Sequence, residues 1–258
     1  IGRDESGMRR DYWYSHDLRD TALDDADKVA DTAVARVKRS LNPRQPQTGP
    51  CAVIFPPELA RGLIGSLFGA ISGRAIYQRA SFLLDAVGQP LFPEAVQIIQ
   101  RPHEAGCIGS ASFDGEGVAT EERALVENGV LNGWLLGSYS ARRLGLRTTG
   151  NAGGVQRVEI PPTAAMDADA MMREAGSGLL VTSLMGQGVT LTTGDYSRGA
   201  TGIWFENGEP AYPVHECTIA GNLRDMYAGI QAIGHDSETR SRIITGSIWV
   251  DKLSLIHI

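Results

Sequence analysis

Asn207-Gly208 stands between two strand-like runs, Ile203-Trp204-Phe205 and Ala211-Tyr212-Pro213-Val214. A two-residue loop of this composition is the strongest local signal for a β-hairpin, because both central residues must take positive φ. The same dipeptide occurs at Asn128-Gly129, preceded by Glu127 as Asn207 is preceded by Glu206. The echo is too short to be an internal repeat. It does commit much of the chain to antiparallel pairing. Glycine is frequent, 31 of 258 residues, which suits many turns better than a helical bundle.

A polar stretch leads into the later hairpin, Thr193-Gly194-Asp195-Tyr196-Ser197-Arg198-Gly199, after a Gly-spaced loop, Gly186-Gln187-Gly188. Asp195, Tyr196, Ser197 and Arg198 place an acid, a phenol, a hydroxyl and a guanidinium side by side. Such a knot is either a turn bonded to its own backbone or a surface that holds a peptide or a partner chain. With Gln187, and with Asn151 in the Gly-rich turn Gly150-Asn151-Ala152-Gly153-Gly154, these residues form the candidate binding set.

The remaining pattern reads as α+β, largely antiparallel and hairpin-rich, with a few packed helices and barrel closure as one outcome. It lacks the regular strand–helix alternation of a doubly wound fold. Residues 23–41 read as a helix: Val29, Ala33, Val34 and Val37 recur at helical spacing, acids come early, and Lys38-Arg39 come late. Residues 58–74 read as a second, largely apolar and central helix, in which Gly62, Gly65 and Gly69 permit close backbone approach. Further helices are expected at 138–144, 166–186 and 222–230. Strands are expected at the aromatic cluster Tyr12-Trp13-Tyr14, at 51–55, and at 96–99, 124–127, 130–137, 155–160, 189–192, 202–206, 211–214 and 245–251. Residues 1–48 read as a strand-plus-helix region ending in a Pro-rich linker, and 49–252 as the main domain. Residues 253–258 read as a tail that is either truncated or non-native.

A formal net charge of -6 argues against duplex nucleic acid as a partner, since that needs a dense basic footprint. Cys51, Cys107 and Cys217 are odd in number and far apart, without a C-x-x-C, so a disulfide framework or zinc ribbon is not indicated. A reducing, cytoplasmic setting is the simplest expectation. No run approaches the roughly 20 apolar residues of a membrane span.

The motifs of hydrolytic chemistry are incomplete. His103-Glu104 begins a zincin-like pattern, but Cys107 replaces the second His, and Pro102 and Gly106 disfavour the helix it needs. His215 and Cys217 share one face of an expected strand, which is two ligands where a structural zinc takes four. A self-sufficient hydrolase would have to draw on His103, Cys107, His215 and Cys217. No G-x-S-x-G or Walker pattern is present.

Several segments, in order, carry a family resemblance: Tyr12-Trp13-Tyr14-Ser15; Gly73-Arg74-Ala75-Ile76-Tyr77 with Ser81-Phe82-Leu83; Phe113-Asp114-Gly115-Glu116-Gly117-Val118; Ser138 to Gly145; Thr149-Gly150-Asn151-Ala152; Met185-Gly186-Gln187-Gly188; Thr193 to Gly199; and Thr218 to Leu223. Together they resemble the C-terminal part of the TldD/PmbA family, also called modulators of DNA gyrase or peptidase family U62, and more closely its PmbA/TldE branch. The resemblance implies a two-subunit metalloprotease that trims unfolded or extended peptides. It implies zinc in a TldD-like partner, held by H-E-x-x-x-H on a helix and a later Cys. The matching helix here is the Leu59–Arg74 segment, with Gly65, Ser66 and Ala70 where the partner has its two His and Glu. No His or Glu occurs between Leu59 and Arg74, and residues 233–250 contain no Cys. The implied role is a subunit without a metal site, paired with a TldD-like chain. The family's historical name adds a third reading, a protein-binding regulator of DNA gyrase.

Overall fold

The structure, a computed structural model, describes residues 1–257. A small hairpin, β1 (Gly2–Asp4) and β2 (Gly7–Arg9), opens the chain. The aromatic cluster that follows is not a strand. Trp13 instead lies beneath two guanidinium groups, Arg240 at 3.9 Å and Arg36 at 5.0 Å from its ring centre. Arg61 donates to the Tyr14 hydroxyl at 2.8 Å. Cation–π and polar contacts hold this segment where ladder bonds were expected.

Helix α1 (Ala26–Arg39) starts at Asp25, whose carboxylate accepts the Lys28 N–H, and carries Arg36, Lys38 and Arg39 in its last turn. Arg36 ties it inward, bonding Asp11 at 3.0 Å, Glu58 at 2.8 Å and the Thr182 carbonyl at 3.0 Å. Strand β3 (Gly49–Phe55) follows. Its two faces are both covered: Val53 and Phe55 join the main core, while Ala52 and Ile54 meet Met171 and Phe205 on the other side. That is why it reads as a continuous apolar run. Pro57, at the first helical position, begins α2 (Pro57–Ala70). The expected single helix breaks at Ile71-Ser72, and Ser72 caps a short α3 (Gly73–Tyr77).

Strands β4 (Ile98–Gln100), β5 (Arg123–Glu127), β6 (Val130–Leu131) and β7 (Val158–Glu159) belong to a five-stranded sheet, with α4 (Ser138–Leu144) between β6 and β7. The strand expected at 130–137 stops at Leu131. The helix expected at 166–186 is also corrected. Helix α5 (Ala168–Ala175) ends at Gly176, with φ +74, and the chain then forms β8 (Gly178–Met185). Gly178 brings the backbones together, since a Cβ there would meet the Ala52 carbonyl at 2.3 Å.

The rest comprises β9 (Val189–Thr190), β10 (Asp195–Glu206), β11 (Glu209–Asn222), α6 (Leu223–Ala228), β12 (Ile230–Ile233), β13 (Ile243–Ile244) and β14 (Ile248–His257). The hairpin turns fall where the Asn-Gly pairs place them, with Asn207 and Gly208 at φ +54 and +79 and Asn128 and Gly129 at +48 and +75. β14 runs through the segment set apart as a tail as far as His257, with Leu253 and Leu255 buried. Ile258 lies outside the described residues.

The principal sheet has the order β11-β10-β8-β3-β14-β12, and β14 also pairs with β11, so five strands close into a barrel. All its pairs are antiparallel except β3–β8. The expectation of an α+β, hairpin-rich, barrel-like domain with a few helices is met. Helix α2 packs on this barrel through Leu63, Ile64 and Leu67, and Tyr227, fully buried, donates to the Leu63 carbonyl at 3.1 Å.

Candidate functional site: a cleft along helix α2

The glycines of α2 do not admit a close neighbour along their whole length, as the sequence suggested. Gly62, Gly65 and Gly69 share the face opposite the core. A Cβ at Gly62 or Gly65 would meet nothing within 4 Å, and only at Gly69 would it touch Leu191, at 3.0 Å. This face is the floor of a cleft. One part, about 330 Å³, is bounded by Ser66, Gln187, Leu191 and Arg198. The other, about 650 Å³, is bounded by Arg74, Tyr77, Glu116, Tyr139, Asn151 and Arg242. The two parts share Gly65 and Gly69.

The walls follow from local structure. Gly73 lets α3 meet α4: its N–H donates to the Leu135 carbonyl at 2.8 Å, and an added Cβ would lie 2.2 Å from Ser140 Oγ. That contact sets Tyr77 edge-on to Tyr139, with ring centres 5.6 Å apart. Glu116 accepts the Ser138 N–H at 2.7 Å, the first amide of α4, where a carboxylate suits the helix dipole. The Ser138 hydroxyl and amide hold the Glu116 carboxyl below its ordinary range. Asp114 accepts N–H bonds from Glu116, Val118 and Ala152, at 2.9, 3.0 and 2.9 Å, and so joins the 114–118 turn to the loop carrying Asn151. Burial alone would raise its pKa; these three bonds outweigh that and lower it.

The candidate residues divide by strand geometry. The polar knot is a turn only at 191–194; from Asp195 it is the first half of β10, so its side chains alternate. Tyr196 and Arg198 face inward with the buried Ala200. Burial pushes the Tyr196 phenol up to about 12, with the neighbouring Arg198 charge acting in the opposite sense. Asp195 and Ser197 are exposed on the other face. Asp195 accepts the Thr193 hydroxyl at 2.5 Å, and the Ser197 N–H donates to the Gly188 carbonyl at 2.6 Å. Gln187 is exposed on the loop beside Arg198. Asn151 is 4% exposed, and its side chain bonds Gln100, Gly154, Gln156 and Thr149. It builds the cleft wall from within. The cleft thus gathers Gln187, Arg198 and Asn151, with Tyr196 behind, and leaves Asp195 and Ser197 outside. Arg74, Tyr77, Tyr139, Glu116 and Arg242 were not singled out for binding from the sequence. The resemblance segments 73–77, 113–118 and 138–145 contained all of them but Arg242.

The residues on this face of α2 do not fit a zinc ion. Gly65 on this face and Ala70, buried in the core, offer no side-chain ligand, and Ser66 Oγ bonds the Gly62 carbonyl at 3.2 Å. Among the described residues, no three His, Cys, Asp or Glu side chains gather as a metal site. His103, Cys107, His215 and Cys217 do not form one cluster. His103 meets Thr120 at 3.0 Å and Cys107 meets Glu104 at 3.8 Å, both in the 101–122 region. Cys217 is buried in the barrel, its thiol pushed up to about 11 by burial and donating to the Ala200 carbonyl at 3.3 Å. His215 lies beside the exposed Glu216. Among the described residues, no helix is long and apolar enough to cross a membrane.

Comparison with known proteins identifies relatives of this chain and of its fold. The model of the PmbA/TldA metallopeptidase C-terminal domain matches residues 48–257. The chain is 44% identical to metalloprotease PmbA of Escherichia coli O157:H7 over 255 residues, covering 99% of this chain and 56% of the relative. It is 43% identical to the Haemophilus influenzae PmbA homologue, with 99% and 56% covered. The chain therefore spans little more than half the length of the curated relatives it matches. Among solved structures, a putative modulator of DNA gyrase from Bacteroides thetaiotaomicron superposes with a TM-score of 0.94 at 27% identity, covering 99% of this chain and 58% of that one. TldE from Thermococcus kodakarensis shares the fold, with a TM-score of 0.80 at 24% identity over 92% of this chain and 57% of that one.

Proposed function

The chain belongs to the PmbA/TldD metallopeptidase family, and from that premise we propose that it is a PmbA/TldE-type subunit without a metal site of its own. It pairs with a TldD-like, zinc-bearing subunit in the cytoplasm and helps hold unfolded or extended peptides for cleavage there. One observation supports this reading above the others. Along α2, the helix that the resemblance pairs with the metal-bearing helix of TldD, the residues lining the cleft are Gly62, Gly65, Ser66, Phe68 and Gly69. No residue of that set can hold zinc or act as a general base. The same glycines leave an open trough, and a peptide lying in it would reach backbone without hindrance from side chains. The cleft is thus suited to binding, and the chemistry is assigned to the partner.

Metal analysis of the purified protein tests the reading. The expected result is zinc well below one ion per chain after dialysis, with no loss of folding in chelator. One tightly held zinc per chain would sink it.

A further inference from the structure

The cleft has a charge opposite in sign to that of the protein around it. The chain carries a formal net charge of -6. Yet three guanidinium groups face the cleft, Arg198 in one part and Arg74 and Arg242 in the other. Among the described residues none of the three has a carboxylate within 4 Å. The one acid on the walls, Glu116, is engaged at the start of α4. Among the described residues, Arg74 bonds only the side-chain amide oxygen of Gln78, at 3.4 Å, and Arg242 only the Val155 carbonyl, at 3.2 Å. Arg198 is the most exacting of the three. Its Nε is buried without a hydrogen-bond partner among the described residues, and the group it does bond, the Tyr196 phenol, brings no negative charge to offset it. A buried donor left unpaired is costly, and a carboxylate is the natural complement to a guanidinium fork.

We infer that this cleft takes an extended peptide bearing several acidic side chains, with one carboxylate on Arg198 and others toward Arg74 and Arg242. The inference deepens the peptide-binding reading above and rests on it. The spread of the cations over both parts selects the occupant. A single terminal carboxylate could meet one of them only, whereas an acidic segment meets all three. The aromatic edge of Tyr77 and Tyr139 and the bare backbone of α2 provide contact for the rest of the chain.

The test is fluorescence anisotropy with the purified protein alone, so its outcome does not depend on a partner or on proteolysis. The probe is a labelled extended peptide with alternating Glu, amidated at its C-terminus. Its controls are the same peptide with Gln for Glu and a free C-terminus, and the same peptide with Lys for Glu. The expected result is binding of the amidated Glu peptide about tenfold or more tighter than the Gln peptide, falling as salt rises. Arg198→Gln should remove about tenfold of that affinity, and Gly65→Leu, which fills the trough, should abolish binding. Arg198→Lys keeps the charge but loses the fork, and serves if Arg198→Gln does not fold; it should fall between wild type and Gly65→Leu. Equal binding of Glu and Gln peptides would overturn the inference. So would binding that needs only a free C-terminus, or binding untouched by these substitutions. If the Glu peptide binds as expected while mixing with a TldD-like chain yields no peptidase, the subunit reading fails and the acidic-peptide site stands.

Discussion

Two glycines of the α2–α3 segment should respond to alanine with opposite signs. At Gly65, in the interior of α2, an added Cβ meets nothing within 4 Å. Its only effect there is to restrict the unfolded chain and favour the helix, a gain of about 0.5–1 kcal/mol. In a domain of this size each kcal/mol moves Tm by roughly 2–4 °C, so Gly65→Ala should melt about 1–4 °C higher. At Gly73 the Cβ would lie 2.2 Å from Ser140 Oγ and 2.5 Å from Ser140 Cβ. Helix α4 would have to move, at a cost of about 1–3 kcal/mol. Gly73→Ala should therefore melt roughly 2–12 °C lower. Calorimetric melts and urea midpoints, with unchanged slope, measure both. A loss of stability in Gly65→Ala would refute the open face of α2, and with it the cleft. An unchanged Gly73→Ala would refute the tight α3–α4 seam that shapes its far wall.

Removing Arg36 as Arg36→Ala leaves Asp11 and Glu58 without their partner and should cost about 3–5 kcal/mol by urea unfolding, with a shift in Trp13 fluorescence. Asp114→Asn should destabilise by about 1–3 kcal/mol at neutral pH, because its NH2 cannot accept the Ala152 N–H and its neutral oxygen is a poorer acceptor for the Glu116 and Val118 N–H groups. Its wild-type carboxyl has a lowered pKa, so its stabilising contribution is complete above the unfolded value of about 3.9 and is lost as pH falls through the folded value. The gap between wild type and Asp114→Asn should accordingly narrow in urea titrations carried from pH 6 down to pH 2.5. Gly208→Ala should destabilise by more than about 1 kcal/mol in the same assay, since φ is +79 and the new Cβ would lie 2.8 Å from Arg173 Cα.

The hairpins were legible in the sequence because a two-residue turn is decided by the residues in it. Asn207-Gly208 and Asn128-Gly129 both took positive φ as expected. The helix read over 166–186 was too long because Leu179-Leu180-Val181 suits either periodicity, and the deciding signal was Gly176 and Gly178. The polar knot was visible, but strand alternation decided which of its groups reach the cleft: Arg198 does and Asp195 does not. The glycine stripe of α2 was visible too. Whether such a stripe is a seam or a trough depends on what stands opposite, and that is tertiary. The walls of this cleft join Glu116, Arg198 and Arg242, far apart in the chain, and no local pattern could have brought them together.

The central proposal is that this chain binds peptide and that a TldD-like subunit cuts it. A peptidase assay on an unfolded peptide, run with this protein alone, a TldD-like subunit alone, and the two mixed, tests it most directly. The account predicts no turnover by this protein alone, turnover by the mixture, and a fall in mixture activity when Gly65→Leu closes the cleft. Zinc-dependent turnover by this protein alone would contradict it.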